Sequence, residues 1–118
     1  FGGNPLACAV ARKALEVLER DRLAERAARL GERFLDRLRG LTGGFVSEAR
    51  GRGLLIGIAL TPAAGPAKAW CQRLLHEGLL CKDTVESVLR IAPPLIIEES
   101  DLDWAFERVE RTLRGDRP

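Results

Sequence analysis

The chain has 118 residues, of which 46% are hydrophobic and 31% are charged, a composition typical of one globular domain. Lys and Arg (19) barely outnumber Asp and Glu (17), and the two signs are interspersed along the predicted helices, so nucleic-acid binding is not indicated. No apolar run approaches the roughly 20 residues that span a bilayer, and no signal-peptide pattern is present. We therefore expect neither a nucleic acid nor a membrane as a partner.

Cysteine and histidine usage points away from metal and triad chemistry. The three cysteines, Cys8, Cys71 and Cys81, are odd in number and lack C-x-x-C spacing. This usage favours reduced thiols in the cytoplasm. His76 falls at the end of a predicted helix without a Ser or Cys partner motif, and we expect it at the surface or as a cap.

Two helices are predicted at the start of the chain. The segment FGG is typical of a glycine-rich loop, Asn4 is a strong N-cap, and Pro5 suits the first helical position. Apolar residues then recur at helical spacing to about Arg20, and Asp21 interrupts the pattern. A second apolar stripe continues until Gly40, where a glycine-rich turn follows.

The segment FVSEARGRGLLIGIAL predicts two strands. Residues 45–50 alternate moderately, whereas residues 54–60 are apolar on both faces, and Gly57 and Ala59 make the second face small. Such a strand is expected to be covered on both sides. Either the domain's own helices or a separate partner domain would supply the second cover.

The remainder predicts a helix, two short strands and a last helix. The apolar positions after Ala67 indicate a short helix that Gly78 stops. LLCK and SVLRI are predicted strands around the turn DTVE, and Pro93-Pro94 ends the second strand. Ser100 with Asp103 is close to a capping box. The order α-α-β-β-α-β-β-α predicts an α+β fold or a two-layer α/β sandwich.

Three segments carry a family resemblance: FGGNPLACAVARKALEVL, EARGRGLLIGIAL and GLLCKDTVESVLRIAPPLIIEESDLDWA. They resemble the C-terminal small domain of class III, pyridoxal-phosphate-dependent aminotransferases, and the last is most similar to the ornithine-type members. The resemblance covers residues 1–118. It implies a two-layer small domain of fold-type I aminotransferases, with a short, mostly antiparallel sheet packed with helices.

The resemblance also implies what surrounds this domain. In the family a preceding large domain holds the cofactor lysine, the acid at the pyridine nitrogen and the stacking aromatic, so no catalytic residue is expected in this chain, and the chain alone is expected to be inactive. Phe1, Gly2 and Gly3 would lie near the cofactor phosphate of the neighbouring subunit in a homodimer or higher oligomer. The implied reaction moves the δ-amino group of ornithine to 2-oxoglutarate. Acetylornithine or 4-aminobutyrate transamination, or a non-catalytic interaction module, remain alternatives.

Arg90 is the main candidate for substrate binding. It interrupts the apolar run of VLRIAPP, and a guanidinium there needs a carboxylate or a route to water. The pattern alone favours an arginine at a sheet edge that reaches solvent. The family resemblance instead implies an active-site arginine that binds a substrate carboxylate and pairs with a Glu of the large domain.

The other candidates are weaker. Lys82 ends LLCK and is the best placed of three lysines for amine chemistry, yet the family has its lysine elsewhere. Arg50 and Arg52 of RGRG are expected to be structural, and Thr84 to order the loop before Arg90. Val85 stands where ornithine-type members usually carry His, which removes any contact made through that His.

Overall fold

The computed structural model describes residues 2–115 and confirms the predicted order of elements. Phe1 lies outside the described residues. The helices are α1 (Pro5–Arg20), α2 (Leu23–Arg39), α3 (Ala67–His76) and α4 (Glu99–Arg114), with a short 3₁₀ turn at Pro62–Ala64. The strands are β1 (Val46–Arg52), β2 (Leu55–Leu60), β3 (Lys82–Thr84) and β4 (Val88–Ile91).

The four strands form one antiparallel sheet in the order β1-β2-β4-β3. Two neighbouring rows of residues paired across the strands show which side chains lie on each face of the sheet. Ala49, Ile58 and Leu89 are paired across β1, β2 and β4, and all three are buried. The adjacent row pairs Arg50 with Gly57, Gly57 with Arg90, and Arg90 with Lys82. Since neighbouring positions alternate across a sheet, these two rows lie on opposite faces.

Helices cover only the first of these faces. The core joins large side chains from α2, α3 and α4, including Phe34, Trp70 and Phe106, to the buried strand residues. The other face, called here the open face, is covered by no element among residues 2–115, and Leu55 on β2 is 60% exposed. The expectation of a strand covered on both sides is therefore not met by this chain's own helices.

Helix α1 lies largely outside the core. No residue of α1 is buried, and its apolar side chains Leu6, Val10 and Leu15 are 74%, 62% and 60% exposed. The radius of gyration is 16.5 Å, against about 13.5 Å for a compact domain of this length. The longest extent, 51 Å against 30 and 23 Å, reflects the same elongation.

Local signals for helix ends are confirmed at some positions and wrong at others. The Asn4 side chain accepts hydrogen bonds from the amides of Leu6 and Ala7, as expected for an N-cap. The predicted capping box of Ser100 and Asp103 is wrong, because α4 begins earlier, at Glu99, after an extended Glu98 that makes no side-chain cap. Ser100 is thus inside the first turn rather than at the cap.

Arginines in the middle turns of α2 pair with carboxylates of α4, whereas the arginine at its end pairs within α2. Spacings of four residues, such as Glu25 with Arg29, suit exposed intrahelical pairs. Arg29 instead binds Glu99, while Arg33 bridges Glu99 and Asp103 at 2.7 and 2.6 Å. Contact between α2 and α4 offers these arginines carboxylates on a neighbouring helix, which a one-helix pattern does not reveal.

The turn between β1 and β2 packs closely on α2. Gly53 has φ +55°, in the left-handed region that favours glycine. A Cβ built on Gly31 of α2 would lie 1.9 Å from the carbonyl oxygen of Gly53. This backbone contact holds the turn that follows RGRG directly against α2.

Residues 2–115 contain neither a membrane-spanning helix nor a cluster of metal ligands. No helix there combines the length and apolarity needed to cross a bilayer. That part of the chain also has no group of three or more His, Cys, Asp or Glu placed to hold a metal ion.

Candidate functional site on the open face

The open face gathers cationic side chains around one glycine. In the register, Gly57 lies between Arg50 on β1 and Arg90 on β4, and Lys82 on β3 follows Arg90. Strands are about 4.8 Å apart, so the two arginine backbones are about 10 Å apart with no side chain between them. A side chain at Gly57 would fill this gap, and its Cβ would lie 3.3 Å from Cγ1 of Val88.

A shallow depression of about 360 Å³ occupies this part of the sheet. Its lining combines the arginines with apolar and small residues of three strands and includes Arg50, Arg52, Leu55, Gly57, Thr84, Val88 and Arg90. Several cations over an apolar floor suit a small ligand with a carboxylate.

The side chain of Arg90 is exposed and makes no hydrogen bond or ion pair with any group in the range 2–115. Strand β4 ends at Ile91, before Pro93-Pro94, as predicted. The interpretation of Arg90 as a residue of a sheet edge is wrong, because β4 lies between β2 and β3. Arg90 therefore extends from an inner strand into the open face, with all its donors available.

The neighbouring cations differ in their partners. Arg50 donates to Glu48 at 2.6 Å on the same strand, which neutralises part of its charge. Arg52, also exposed, has no ion pair among the described residues. The sequence singled out Arg50 only as structural support. The signal for its position beside Arg90 was the alternation of β2, which puts Gly57 on the face opposite to Ile56 and Ile58.

The strand predicted at LLCK is displaced, because β3 spans Lys82–Thr84, and the turn between β3 and β4 therefore begins at Val85, two residues later than predicted. Asp83 and Thr84 belong to β3, and Thr84 pairs with Val88, so Thr84 lies beside the strand of Arg90. Val85 and Glu86 have φ +51° and +58°. A β-branched residue is rare in this left-handed region, and Val85 is 82% exposed. The position where ornithine-type members usually carry His is therefore a strained turn position with no packing role here.

The glycines proposed to lie near the cofactor do not form a pocket by themselves. A Cβ at Gly2 or Gly3 would meet nothing within 4 Å. The first amides of α1 are already bonded to the Asn4 side chain, so they are not free for a phosphate. Any phosphate contact from this segment would be made by the backbone of Gly2 and Gly3, and the rest of the cradle would come from elsewhere.

None of the three lysines is enclosed as an activated amine would be. Lys13 pairs with Glu16 at 3.0 Å on α1. Lys68 on α3 and Lys82 on β3 are exposed. An amine nucleophile is normally activated by desolvation or a cationic neighbour. Lys82 has Arg90 as its paired neighbour but no apolar enclosure within residues 2–115.

Comparison with known proteins agrees with this architecture. The family described as aminotransferase class-III matches residues 1–113. Ornithine aminotransferase of Bacillus subtilis (strain 168) is 54% identical over 98% of this chain. The ornithine aminotransferase of Toxoplasma gondii ME49 has a TM-score of 0.88 and 41% identity over 96% of this chain. An acetylornithine aminotransferase from Elizabethkingia anophelis has a TM-score of 0.87 and 40% identity over the same share.

A small antiparallel sheet covered by helices on one face is thus shared with these aminotransferase structures. The chain belongs to the class III aminotransferases. It spans 28% of the Bacillus subtilis protein, 28% of the Toxoplasma gondii chain and 29% of the Elizabethkingia anophelis chain.

Proposed function

We propose that residues 1–118 form the C-terminal small domain of an ornithine–oxo-acid aminotransferase. The parent enzyme would transfer the δ-amino group of ornithine to 2-oxoglutarate. The observation that carries the proposal is Arg90, which is exposed on an inner strand without a partner among residues 2–115 and lies beside the gap at Gly57. Identity of 54% to an ornithine aminotransferase supports this choice of amino donor.

Arg90 would bind a carboxylate of the oxo acid in this proposal. Its planar guanidinium can donate two parallel hydrogen bonds to one carboxylate, which fixes the orientation of the substrate. A Glu from the remainder of the parent enzyme would occupy Arg90 while ornithine is bound. Arg50 would contribute less to this carboxylate, since Glu48 already accepts from it.

Pyridoxal 5'-phosphate is the cofactor that the family implies, and when bound it supplies the electron withdrawal of transamination. Residues 2–115 do not enclose a site for it, because a Cβ at Gly2 or Gly3 would meet nothing within 4 Å and the lysines are on exposed surfaces. The cofactor-binding groups would therefore belong to the remainder of the parent enzyme. Residues 1–3 would add backbone contacts near the phosphate of a neighbouring subunit.

The remainder of the parent enzyme would cover α1 and the open face. Both surfaces carry apolar side chains that this chain leaves exposed, and a 16-residue helix is marginal in water without packing. A large N-terminal domain of the same polypeptide is the proposed partner, with a homodimer as the assembly and the cytoplasm as the location.

Half-reactions of the purified parent enzyme would test this function. Ornithine, N-acetylornithine and 4-aminobutyrate are offered separately as amino donors, and the single-turnover rate of each is measured. We expect ornithine to react at least about tenfold faster than either alternative, equivalent to about 1.4 kcal/mol in the barrier. Faster reaction of N-acetylornithine or 4-aminobutyrate would assign that other donor. Absence of transamination with every donor would favour a non-catalytic interaction module.

The chain of residues 1–118 alone is the matched control. Mixed with pyridoxal 5'-phosphate and ornithine, it is expected to give no turnover. Turnover by the chain alone would overturn the division of labour proposed here and would make Lys82 the first residue to substitute.

A further inference from the structure

Two of the three cysteines lie in contact although ten residues separate them. The Sγ atoms of Cys71 and Cys81 are 3.4 Å apart, and the Cys81 thiol donates to the sulfur of Cys71. Both residues are half-buried against the core, and both are free thiols. Cys8 is exposed on α1.

The fold explains why sequence spacing hid this pair. Cys71 lies in the middle of α3, which ends at His76, and Gly78 with φ +86° reverses the chain. The amide of Leu79 then donates to the carbonyl of Leu74 at 2.8 Å, so the chain returns alongside the helix. Cys81 is thereby brought back to Cys71 immediately before β3 begins at Lys82.

We propose that Cys71 and Cys81 form a dithiol site that reacts with a low-molecular-weight disulfide and closes to an internal disulfide. This inference is independent of the proposed aminotransferase function. The sulfurs must move about 1.4 Å closer to reach the bond length of about 2.05 Å. Residues 80 and 81 lie outside helix and strand, and Leu80 is 84% exposed, so this part of the chain can adjust while Leu79 stays in the core.

Thiol–disulfide exchange at this pair proceeds in two steps. The Cys71 thiol loses its proton to water, and its thiolate attacks one sulfur of the reagent R–S–S–R, forming a mixed disulfide and releasing one R–S⁻. The Cys81 thiolate then attacks the Cys71 sulfur and releases the second R–S⁻. Two protein thiols are oxidised, one reagent disulfide is reduced, and the two leaving thiolates take up the two protons.

The surroundings set the order of attack. Burial raises the pKa of Cys81 to about 12. Burial also raises the pKa of Cys71, but the hydrogen bond from the Cys81 thiol and the charge of Lys82 oppose this rise, whereas Asp83 adds to it. Cys71 is therefore the first nucleophile, and Cys81 resolves the mixed disulfide.

The bond would join α3 to the start of β3. Lys82, the next residue, pairs with Arg90 in the register of the sheet. Oxidation would consequently restrain β3, the outer strand that lies beside Arg90. This restraint would connect the dithiol site to the open face.

Peptide mapping of the full-length parent protein tests the proposal. Trypsin cuts after Lys68, Arg73 and Lys82, so the two cysteines fall in separate peptides, 69–73 and 74–82. After exposure of the folded protein to glutathione disulfide, we expect these peptides to be joined, with a mass two hydrogens below their sum. The joined pair should be at least about tenfold more abundant than in protein unfolded in urea, because folding raises the effective concentration of one thiol at the other.

Variants make the assignment unambiguous. Cys8→Ser is the matched control and should leave the joined pair unchanged. Cys71→Ser and Cys81→Ser should each abolish it, and Cys81→Ser should leave glutathione on Cys71. Free thiols or separate glutathione adducts on peptides 69–73 and 74–82 of the folded wild type, at a reagent concentration that modifies the urea-unfolded protein completely, would overturn the proposal without any variant.

Discussion

Arg90 is the single residue on which the proposed function most depends. A guanidinium inside an apolar strand must reach solvent or a carboxylate, and Arg90 reaches the open face from an inner strand. Gly57 beside it leaves room that any side chain would reduce. This combination of an unpaired cation and a cleared space is expected at a binding site and is unnecessary for stability alone.

Substitution of Arg90 in the parent enzyme should divide the two half-reactions. Arg90→Lys keeps the charge but loses the forked geometry, and Arg90→Ala loses both. A charge-assisted hydrogen bond contributes about 1.5–3 kcal/mol, so we expect a loss of roughly ten- to a hundredfold in the 2-oxoglutarate half-reaction. The ornithine half-reaction should lose less. Single-turnover rates of each half measure this difference.

Arg52→Ala is the control, because Arg52 lies on the same face and also has no ion pair among residues 2–115. It should cause a smaller loss, similar in both halves. Equal and small losses in both halves for Arg90→Ala would return Arg90 to the role of a solvated surface residue.

Val85 has an unfavourable backbone conformation. Its φ of +51° is unfavourable for a β-branched residue, and a non-glycine residue held in such a region costs on the order of 1–3 kcal/mol. Asn and His tolerate this region better. Val85→Asn or Val85→His should therefore raise the free energy of unfolding of the 118-residue chain by about 1 kcal/mol, measured by denaturant titration. Val10→Asn, at an exposed helical valine, should give no such gain.

At the scale of elements, the contact between α2 and the β1–β2 turn depends on one missing side chain. A Cβ at Gly31 would lie 1.9 Å from the carbonyl oxygen and 2.3 Å from the carbonyl carbon of Gly53. Both atoms are backbone, so relief requires α2 or the turn to move. Gly31→Ala gains about 1 kcal/mol in helix propensity, yet overpacking of this kind costs typically about 1–3 kcal/mol, and here we expect the upper end.

The net result for Gly31→Ala is a loss of about 2 kcal/mol in the free energy of unfolding, again from denaturant titration. Gly2→Ala is its control, since a Cβ there would meet nothing within 4 Å and should change stability little. Equal stability of Gly31→Ala and the wild type would show that α2 does not press on the turn as described.

The pairing of α2 with α4 predicts a dependence of stability on pH. The hydrogen bond from Arg33 lowers the pKa of Asp103, and the hydrogen bond from Arg29 lowers the pKa of Glu99. A lowered pKa in the folded state means that the stabilisation is complete above the ordinary carboxyl pKa of about 4. It is lost as the pH falls further, through the lowered value.

Asp103→Asn should therefore melt below the wild type at neutral pH, and the two melting curves should converge in acid. Added salt should reduce the difference, because these groups are exposed to screening. Asp101→Asn, in the same turn of α4 but without an ion pair among the described residues, should show a smaller difference. Thermal melts at a series of pH values would contradict the network if Asp103→Asn and Asp101→Asn behaved alike.

The elements themselves were largely predictable, and their mutual contacts were not. Asn4 and Pro5 start α1, and Pro93-Pro94 ends β4, because each acts through its own backbone or its nearest neighbours. In the structure β4 is an inner strand of the sheet, and Arg29 pairs with Glu99 of α4 instead of Glu25 of its own helix. Both outcomes depend on tertiary contacts between distant segments, which spacing along one element does not encode.

The candidate site divides in the same way. Arg90 was visible from the sequence because a charge interrupted an apolar run. Its neighbours Arg50 and Gly57 became apparent only once the antiparallel register was known. The contact of Cys71 with Cys81 likewise required the reversal at Gly78.

At the scale of the whole molecule, the main feature is apolar surface without a cover. At about 100° per residue, the apolar side chains of α1 span roughly 200° of its circumference, wider than the stripe of a helix that packs on one side. Among these residues only Val17 is even half-buried. Exposed apolar surface of this kind drives association, and Leu55 on the open face adds a second exposed apolar side chain.

The isolated chain should accordingly self-associate with rising concentration, or bind the separately expressed N-terminal portion of the parent enzyme. Val10→Glu introduces a charge in the apolar arc of α1 and should weaken either association by about tenfold or more, since burying a Val side chain contributes about 1.5–3 kcal/mol. Ala9→Glu adds the same charge on the polar arc and should have little effect. Sedimentation velocity over a concentration series measures both variants. A wild-type chain that stays monomeric at high concentration and ignores the N-terminal portion would contradict α1 as a docking helix, as would equal effects of Val10→Glu and Ala9→Glu.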